Sequence, residues 1–247
     1  MNFDAKKQTE HIVEWIKDWF ENNGPKAKAI VGISGGKDSS VVAALLVKAL
    51  GKERVIGVLM PNGEQPDIDD SKKLVSFLGL QHYIVNINDT VNALEKVVSN
   101  ALNSSLSTDT TINIQPRVRM SVLYAIAQST QPSAMVANTC NRSEDYIGYS
   151  TKYGDAAGDF SPLADYTVTE VLKIGDELGL PTELVHKTPS DGLSGKSDED
   201  KIGFTYAVLD KYILEGVCED APLKEKIDRM HRRNLHKITP MPVCKKL

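Results

Sequence analysis

Apolar residues at the start of the chain recur at helical spacing. Ile12, Val13, Ile16, Trp19 and Phe20 follow that period. It predicts a helix over residues 4–22, stopped by Asn23-Gly24-Pro25. Residues 27–33 are a short apolar run of the kind a buried parallel strand needs. A glycine-rich loop follows, and residues 38–50, rich in Val, Ala and Leu and closed by Gly51, read as a helix. The alternation continues with a strand over 55–60, a helix over 67–78 with an acidic first turn, a strand over 83–87 and a helix over 88–102. The Ser/Thr-rich stretch 103–113 reads as a loop, 116–129 as a helix, and 134–137 as a further strand. Strands alternating with helices predict a parallel sheet with helices on both faces. The expected fold is α/β, a doubly wound parallel five-stranded sheet in one domain spanning residues 1–247. Beyond residue 137 long polar segments, 138–161 and 187–200, flank one helix over 167–178, and two more helices close the chain. Trp15 and Trp19 serve the core or an interface, with the core as the default.

Composition sharpens this picture in a few places. The 247 residues are 41% hydrophobic and 25% charged, enough chain for a sizeable core. A net charge of −4 gives no general attraction for nucleic acid, so a phosphate-bearing partner needs a local basic site. No stretch approaches the roughly 20 apolar residues of a membrane span, and the N-terminus lacks the apolar core of a signal peptide. Cys140, Cys218 and Cys244 show neither zinc spacing nor a C-x-x-C pair. A cytoplasmic protein with unpaired thiols is expected.

The chemistry concentrates in Ser34-Gly35-Gly36-Lys37-Asp38-Ser39, between a predicted strand and a predicted helix. Two glycines let the backbone approach a phosphate and adopt positive φ. Amides of the loop and of the first helical turn then face the anion, with the helix dipole behind them. Asp38 repels phosphate unless a cation sits between them, which argues for Mg²⁺. A Walker A loop needs Ser or Thr after the lysine and a glycine one residue further upstream than Gly32. A dinucleotide fingerprint is absent as well. A plain glycine turn is the bland alternative.

Further segments carry candidate chemistry. Arg117 and Arg119, two residues apart, do not share a helix face, so at least one points away from the core. They suit either solvent or a phosphate or carboxylate. Asn138-Thr139-Cys140-Asn141-Arg142-Ser143-Glu144 follows the fourth strand, where a second nucleotide contact is expected. Glu144 is either a second metal carboxylate or a solvated loop residue. Thr151-Lys152-Tyr153-Gly154-Asp155, with Asp159, reads as a structured loop. Pro189-Ser190-Asp191, Ser197-Asp198-Glu199-Asp200, Gly203-Phe204-Thr205-Tyr206 and His236-Lys237 follow. The acidic run from Asp198 to Asp200 reads as a helix N-terminus.

The hexapeptide resembles the S-G-G-x-D-S loop of the N-type ATP pyrophosphatases, and with the downstream segments the chain resembles ammonia-dependent NAD synthetases over residues 10–242. The resemblance implies an adenine nucleotide α-hydrolase-like fold. It also implies an enzyme that amidates nicotinic acid adenine dinucleotide (deamido-NAD) with ammonia through an acyl-adenylate, releasing AMP and pyrophosphate. It carries over roles residue by residue. Gly32, Ile33, Ser34, Gly35, Gly36, Lys37, Asp38 and Ser39, with Thr139 and Ser190, hold ATP. Asp38 and Glu144 hold Mg²⁺. Arg119, Lys152, Asp159, His236 and Lys237 hold deamido-NAD, and Asp155 orients ammonia or the reacting carboxylate. A homodimer with the dinucleotide site near the subunit interface is implied, and no nucleic acid or membrane partner. Only about one helix precedes Ser34, leaving no room for an amidase domain, so free ammonia, or ammonia from a partner protein, is the expected nitrogen source. Two departures stand out. Val168 occupies a position where the family often has lysine, so Lys37 or Lys173 would have to supply that charge. The aspartate of a common P-[ST]-A-D-L element is displaced to Asp191. A tRNA-thiolating or lysidine-forming relative, and a nucleotide-binding module without turnover, are the alternatives.

Overall fold

A computed structural model describes residues 3–64, 68–187 and 197–246. Helix α1 (Ala5–Asn23) starts at Asp4, whose carboxylate accepts the Lys7 amide at 3.0 Å. It ends at Gly24, and its buried face is Ile12, Val13, Ile16 and Phe20. Strand β1 (Lys28–Gly32) then enters the centre of the molecule, and α2 (Lys37–Leu50) leaves it. Strand β2 (Val55–Leu59), α3 (Ile68–Leu78), β3 (Gln81–Ile84), α4 (Asn88–Leu102), α5 (Thr108–Ser129) and β4 (Ala134–Ala137) complete the alternating half.

The sheet is parallel with strand order β3-β2-β1-β4. It has four strands among the described residues, one fewer than expected. The place of a fifth is marked by a single parallel bridge from Phe160 to Ala137. The Asn138 amide reaches the Phe160 carbonyl at 2.9 Å, and the Asp159 amide reaches the Val136 carbonyl at 2.8 Å. Pro162 follows two residues later and has no N–H with which to extend such a ladder.

Alternate residues of β1 face opposite layers. Ala29 and Val31 pack with α1, α2 and α7 (Val168–Glu177). Ile30 packs with Met120, Leu123 and Ala127 of α5. Helices therefore cover both faces, as the pattern predicted. Two boundaries differ from expectation. Helix α5 starts at Thr108 rather than after a loop, because Ser107 caps it by accepting the Thr110 amide at 3.2 Å. Pro116 then lies inside the helix rather than at its start. Strand β3 is shorter and earlier than predicted, and its residues are exposed at the sheet edge.

The remaining helices are α6 (Arg142–Ile147), α8 (Thr182–Val185), α9 (Asp198–Ile202), α10 (Tyr206–Glu215) and α11 (Ala221–Ile238). The acidic run from Asp198 is indeed a helix N-terminus, capped by Ser197 with Asp200. Helix α11 crosses α6 closely at Gly148, which has φ +64°, and a Cβ there would lie 2.1 Å from that of Asn234. Only glycine permits that approach. Trp19 stacks on Phe160 at 4.6 Å between ring centroids, whereas Trp15 faces solvent.

Candidate active site

The strand order reverses between β1 and β4, and the crevice beyond their carboxyl ends is where ligands enter such sheets. A cavity of about 430 Å³ opens there. The loop after β1 forms its floor. Gly35 has φ +78°, and a Cβ on it would lie 2.8 Å from the Ser71 amide nitrogen. The loop is tied inward by its own hydroxyls. The Ser34 and Ser39 hydroxyls are 3.1 Å apart, the Gly36 amide donates to Ser34 Oγ at 3.3 Å, and Ser39 and Ser40 both donate to the Gly36 carbonyl. Gly32, Ile33, Ser34, Gly36, Lys37 and Asp38 line the cavity, while Gly35 and Ser39 shape the turn behind it.

Charge is paired across this floor. The Lys37 ammonium lies 2.8 Å from Asp38 Oδ2 and 3.7 Å from Glu144 Oε1, and its side chain is only 5% exposed. Burial opposes its charge, but Asp38 and Glu144 together outweigh that and hold its pKa above the ordinary lysine value. The Glu144 carboxyl is pushed up by burial first and by Asp38 second, against the pull of Lys37. Asn141 joins the two carboxylates. Its side-chain oxygen caps α6 by accepting the Glu144 amide at 3.1 Å, and its amide group donates to Asp38 Oδ1 at 3.0 Å. Two carboxylates converging on one cation beside a phosphate-type loop are the donor set that Mg²⁺ takes, with phosphate oxygens and water completing it.

The far wall brings together residues distant in sequence. Arg119 from α5 donates to the Met60 carbonyl at 3.2 Å and lines the cavity with Thr139 and Asp155. Asp155 accepts the Thr151 amide at 2.9 Å, and the protein around it raises its pKa, although an edge stays open to solvent. Lys187 also faces the cavity, 2.6 Å from Asp70. Asp198 completes the rim and accepts from the Tyr149 hydroxyl at 3.1 Å.

A second cavity of about 320 Å³ shares Ala157 with the first and is lined by Tyr124, Lys152, Tyr153 and Lys237. Lys152 donates to the His236 carbonyl at 2.6 Å, and Lys237 to the Gly148 and Ser150 carbonyls at 2.7 and 2.8 Å. These bonds bring the end of α11 to the 148–152 loop.

A family model described as NAD synthase matches residues 8–244. The chain belongs to the NAD synthase family. The NH(3)-dependent NAD(+) synthetase of Pyrococcus furiosus is 39% identical over 214 residues, which cover 86% of this chain and 78% of that protein. Among solved structures, NMN synthetase from Francisella tularensis superposes with a TM-score of 0.90 at 31% identity, covering 99% of this chain and all of that one. The NH3-dependent NAD synthetase of Campylobacter jejuni, in complex with the nitrate ion, gives 0.78 at 26% identity, again covering 99% of this chain and all of that one.

The expected site residues fall into four groups. The loop residues other than Gly35 and Ser39, with Glu144, Thr139, Arg119 and Asp155, converge on the first cavity. Lys152 and Lys237 line the second, with His236 beside them through its carbonyl. Asp159 accepts from the Tyr124 hydroxyl, which lines the second cavity, at 3.1 Å and from the Val136 amide at 2.7 Å. Ser190 and Asp191 lie outside the described residues. Val168 is buried in the core around Ile147 and Ile202. Lys173 stands over the Phe3 ring, so of the two proposed substitutes only Lys37 reaches the cavity. Asn141, Lys187 and Tyr206 drew no functional assignment from the sequence, and Asp198 drew only that of a helix start. Each lies far along the chain from the loop it meets, and no local spacing marks it.

Proposed function

We propose that this protein amidates the nicotinate carboxylate of deamido-NAD with ammonia, driven by ATP cleavage. The observation carrying this reading is the convergence of the glycine loop, the Asp38–Glu144 pair and Arg119 on one cavity at the switch point of the sheet. In the first step a carboxylate oxygen attacks the α-phosphorus and the bond to the β-phosphate breaks. Pyrophosphate stays against the loop amides while the acyl-adenylate forms. In the second step ammonia attacks the acyl carbon, AMP leaves and one proton is released. The chain's own part is largely electrostatic, since charge gathers on phosphate oxygens in the first transition state. Mg²⁺ held by Asp38 and Glu144 would supply the charge neutralisation that two carboxylates beside phosphates require. Arg119, Lys152 and Lys237 are the cations for the dinucleotide. Asp155, at the open edge, orients ammonia or the reacting carboxylate.

A second reading has one observation behind it. The fold superposes more closely on an NMN synthetase, at 0.90, than on an NAD synthetase, at 0.78. The carboxylate chemistry is the same, but the substrate is then nicotinate mononucleotide. Turnover of the two substrates with ATP, Mg²⁺ and ammonium, read as AMP and pyrophosphate release, separates them. The expected result is a higher kcat/KM for deamido-NAD. Preference for the mononucleotide establishes the second reading, and no turnover of either by folded protein removes both.

No helix among the described residues is long and apolar enough to cross a membrane. The assembly we propose is a homodimer through α4 and the start of α5. Helix α4 buries only Val91 and leaves Leu94, Val97 and Leu102 exposed, and Ile112 of the neighbouring α5 is exposed too, with Val97 at 65%. Exposed apolar side chains on two packed helices suit an interface, and a two-fold axis makes such a surface self-complementary. Light scattering should give twice the chain mass of 27.1 kDa, and Leu94→Glu with Val97→Glu should give a folded monomer. A monomeric parent protein would rule this interface out.

A further inference from the structure

Tyr206 stands first in α10, where its amide donates to Glu199 Oε1 at 2.8 Å. Its side chain is 3% exposed, and among the described residues its hydroxyl has no hydrogen-bond partner. Burying a hydroxyl without a partner is costly, so the position calls for an explanation. Among the described residues two other buried hydroxyls share this state, those of Thr9 in α1 and Ser150 in the loop after α6. Tyr206 differs in what surrounds it. The Lys37 ammonium sits 5.7 Å from its ring centroid, so the ring packs against the cation that pairs Asp38 with Glu144. Burial first, and then the negative charge of Glu144, Asp198 and Asp38, pushes the phenol far above its ordinary pKa. A phenolic O–H is a donor at neutral pH in any case.

We infer that Tyr206 is a ligand-binding residue of the phosphate site, whose hydroxyl donates to an oxygen that arrives with the hydrated Mg²⁺–phosphate group. The inference rests on the ATP reading above and goes beyond it by assigning this residue. No described residue partners this donor, and a metal-bound water or phosphate oxygen arriving beside Glu144 satisfies it. Part of the nucleotide affinity then comes from that hydrogen bond.

The test is Tyr206→Phe, which keeps the ring against Lys37 and removes only the hydroxyl. Thermal unfolding is followed without ligand and with Mg²⁺ plus α,β-methylene-ATP, which is not cleaved between its α and β phosphates. Without ligand the variant should melt at or above the parent temperature. Its Kd for the Mg²⁺–analogue complex, from calorimetry, should rise about tenfold, in line with one hydrogen bond to a charged group. A variant that melts several degrees lower without ligand and binds the analogue with unchanged Kd overturns the inference, because the hydroxyl then has its partner in the free protein. If the parent protein itself shows no Mg²⁺–analogue binding, the ATP reading fails, and this inference with it.

Discussion

Replacing Asp38 by alanine should lower kcat/KM with deamido-NAD, ATP and ammonia on the order of a thousandfold, with the far-UV circular dichroism and melting temperature close to the parent's. Asp38 lies in the first turn of α2, one residue from the Lys37 that shares it with Glu144. Both of its oxygens are engaged, one by Lys37 and one by Asn141. Removing the carboxylate leaves a single acidic group, Glu144, to draw a divalent cation to the loop, so phosphate charge in the transition state goes largely unneutralised. Stability moves little because two effects oppose each other. Lys37 loses its nearer partner, but Glu144 is freed from the Asp38 charge that helps raise its pKa. Asp38→Asn should lose activity almost as completely, since an amide fills the space and accepts from Asn141 without supplying charge. Full activity in Asp38→Ala would remove this residue from the metal site.

How much of this could be read along the chain depends on the distance over which each feature is written. The strand–loop–helix of residues 28–50 is local, so apolar run, glycines and closing Gly51 suffice to place it. Asp38 is legible for the same reason, because a carboxylate beside a phosphate loop is odd on its face. The sheet edges are harder. Phe160 forms one bridge instead of a strand because Asp159 turns its carboxylate onto the Val136 amide and Pro162 offers no donor. Asp159, a substrate ligand by motif, also accepts the Val136 amide that a fifth strand would otherwise bond. Pro116 misleads in another way. Taken as a helix start, it hides the two turns before it, which Ser107 caps. Asn141 and Asp38 are separated by 103 positions, and nothing near either residue announces the other. Tyr206 looks like an ordinary apolar residue of an amphipathic helix, and only the carboxylates gathered around Lys37 give it a role.

Asp210→Ala should destabilise the protein by about 3 kcal/mol, and at this chain length that lowers the melting temperature by roughly 6–12 °C. Asp210 is 2% exposed yet fully bonded. One oxygen accepts the Ser143 hydroxyl, and the other accepts the Thr169 hydroxyl and the Thr169 amide, the latter at 2.8 Å. Ser143 in turn accepts the Val168 amide at 3.0 Å. A carboxylate from α10 thus satisfies the orphan amides at the start of α7, where its charge also suits the helix dipole. Alanine leaves the Thr169 amide, the Thr169 hydroxyl and the Ser143 O–H without their acceptor, and that loss dominates over any gain from removing a buried charge. The consequence reaches the site because Ser143 precedes Glu144 on α6. With Ser143 released, Glu144 should hold its place less well, and the KM for Mg²⁺–ATP should rise more than kcat falls. Asp210→Asn separates the two roles. It restores one acceptor but loses the charge, so it should recover about half the stability, measured by urea unfolding. Equal stability of Asp210→Ala and the parent would mean that water replaces the carboxylate and that α6 is positioned by α11 alone.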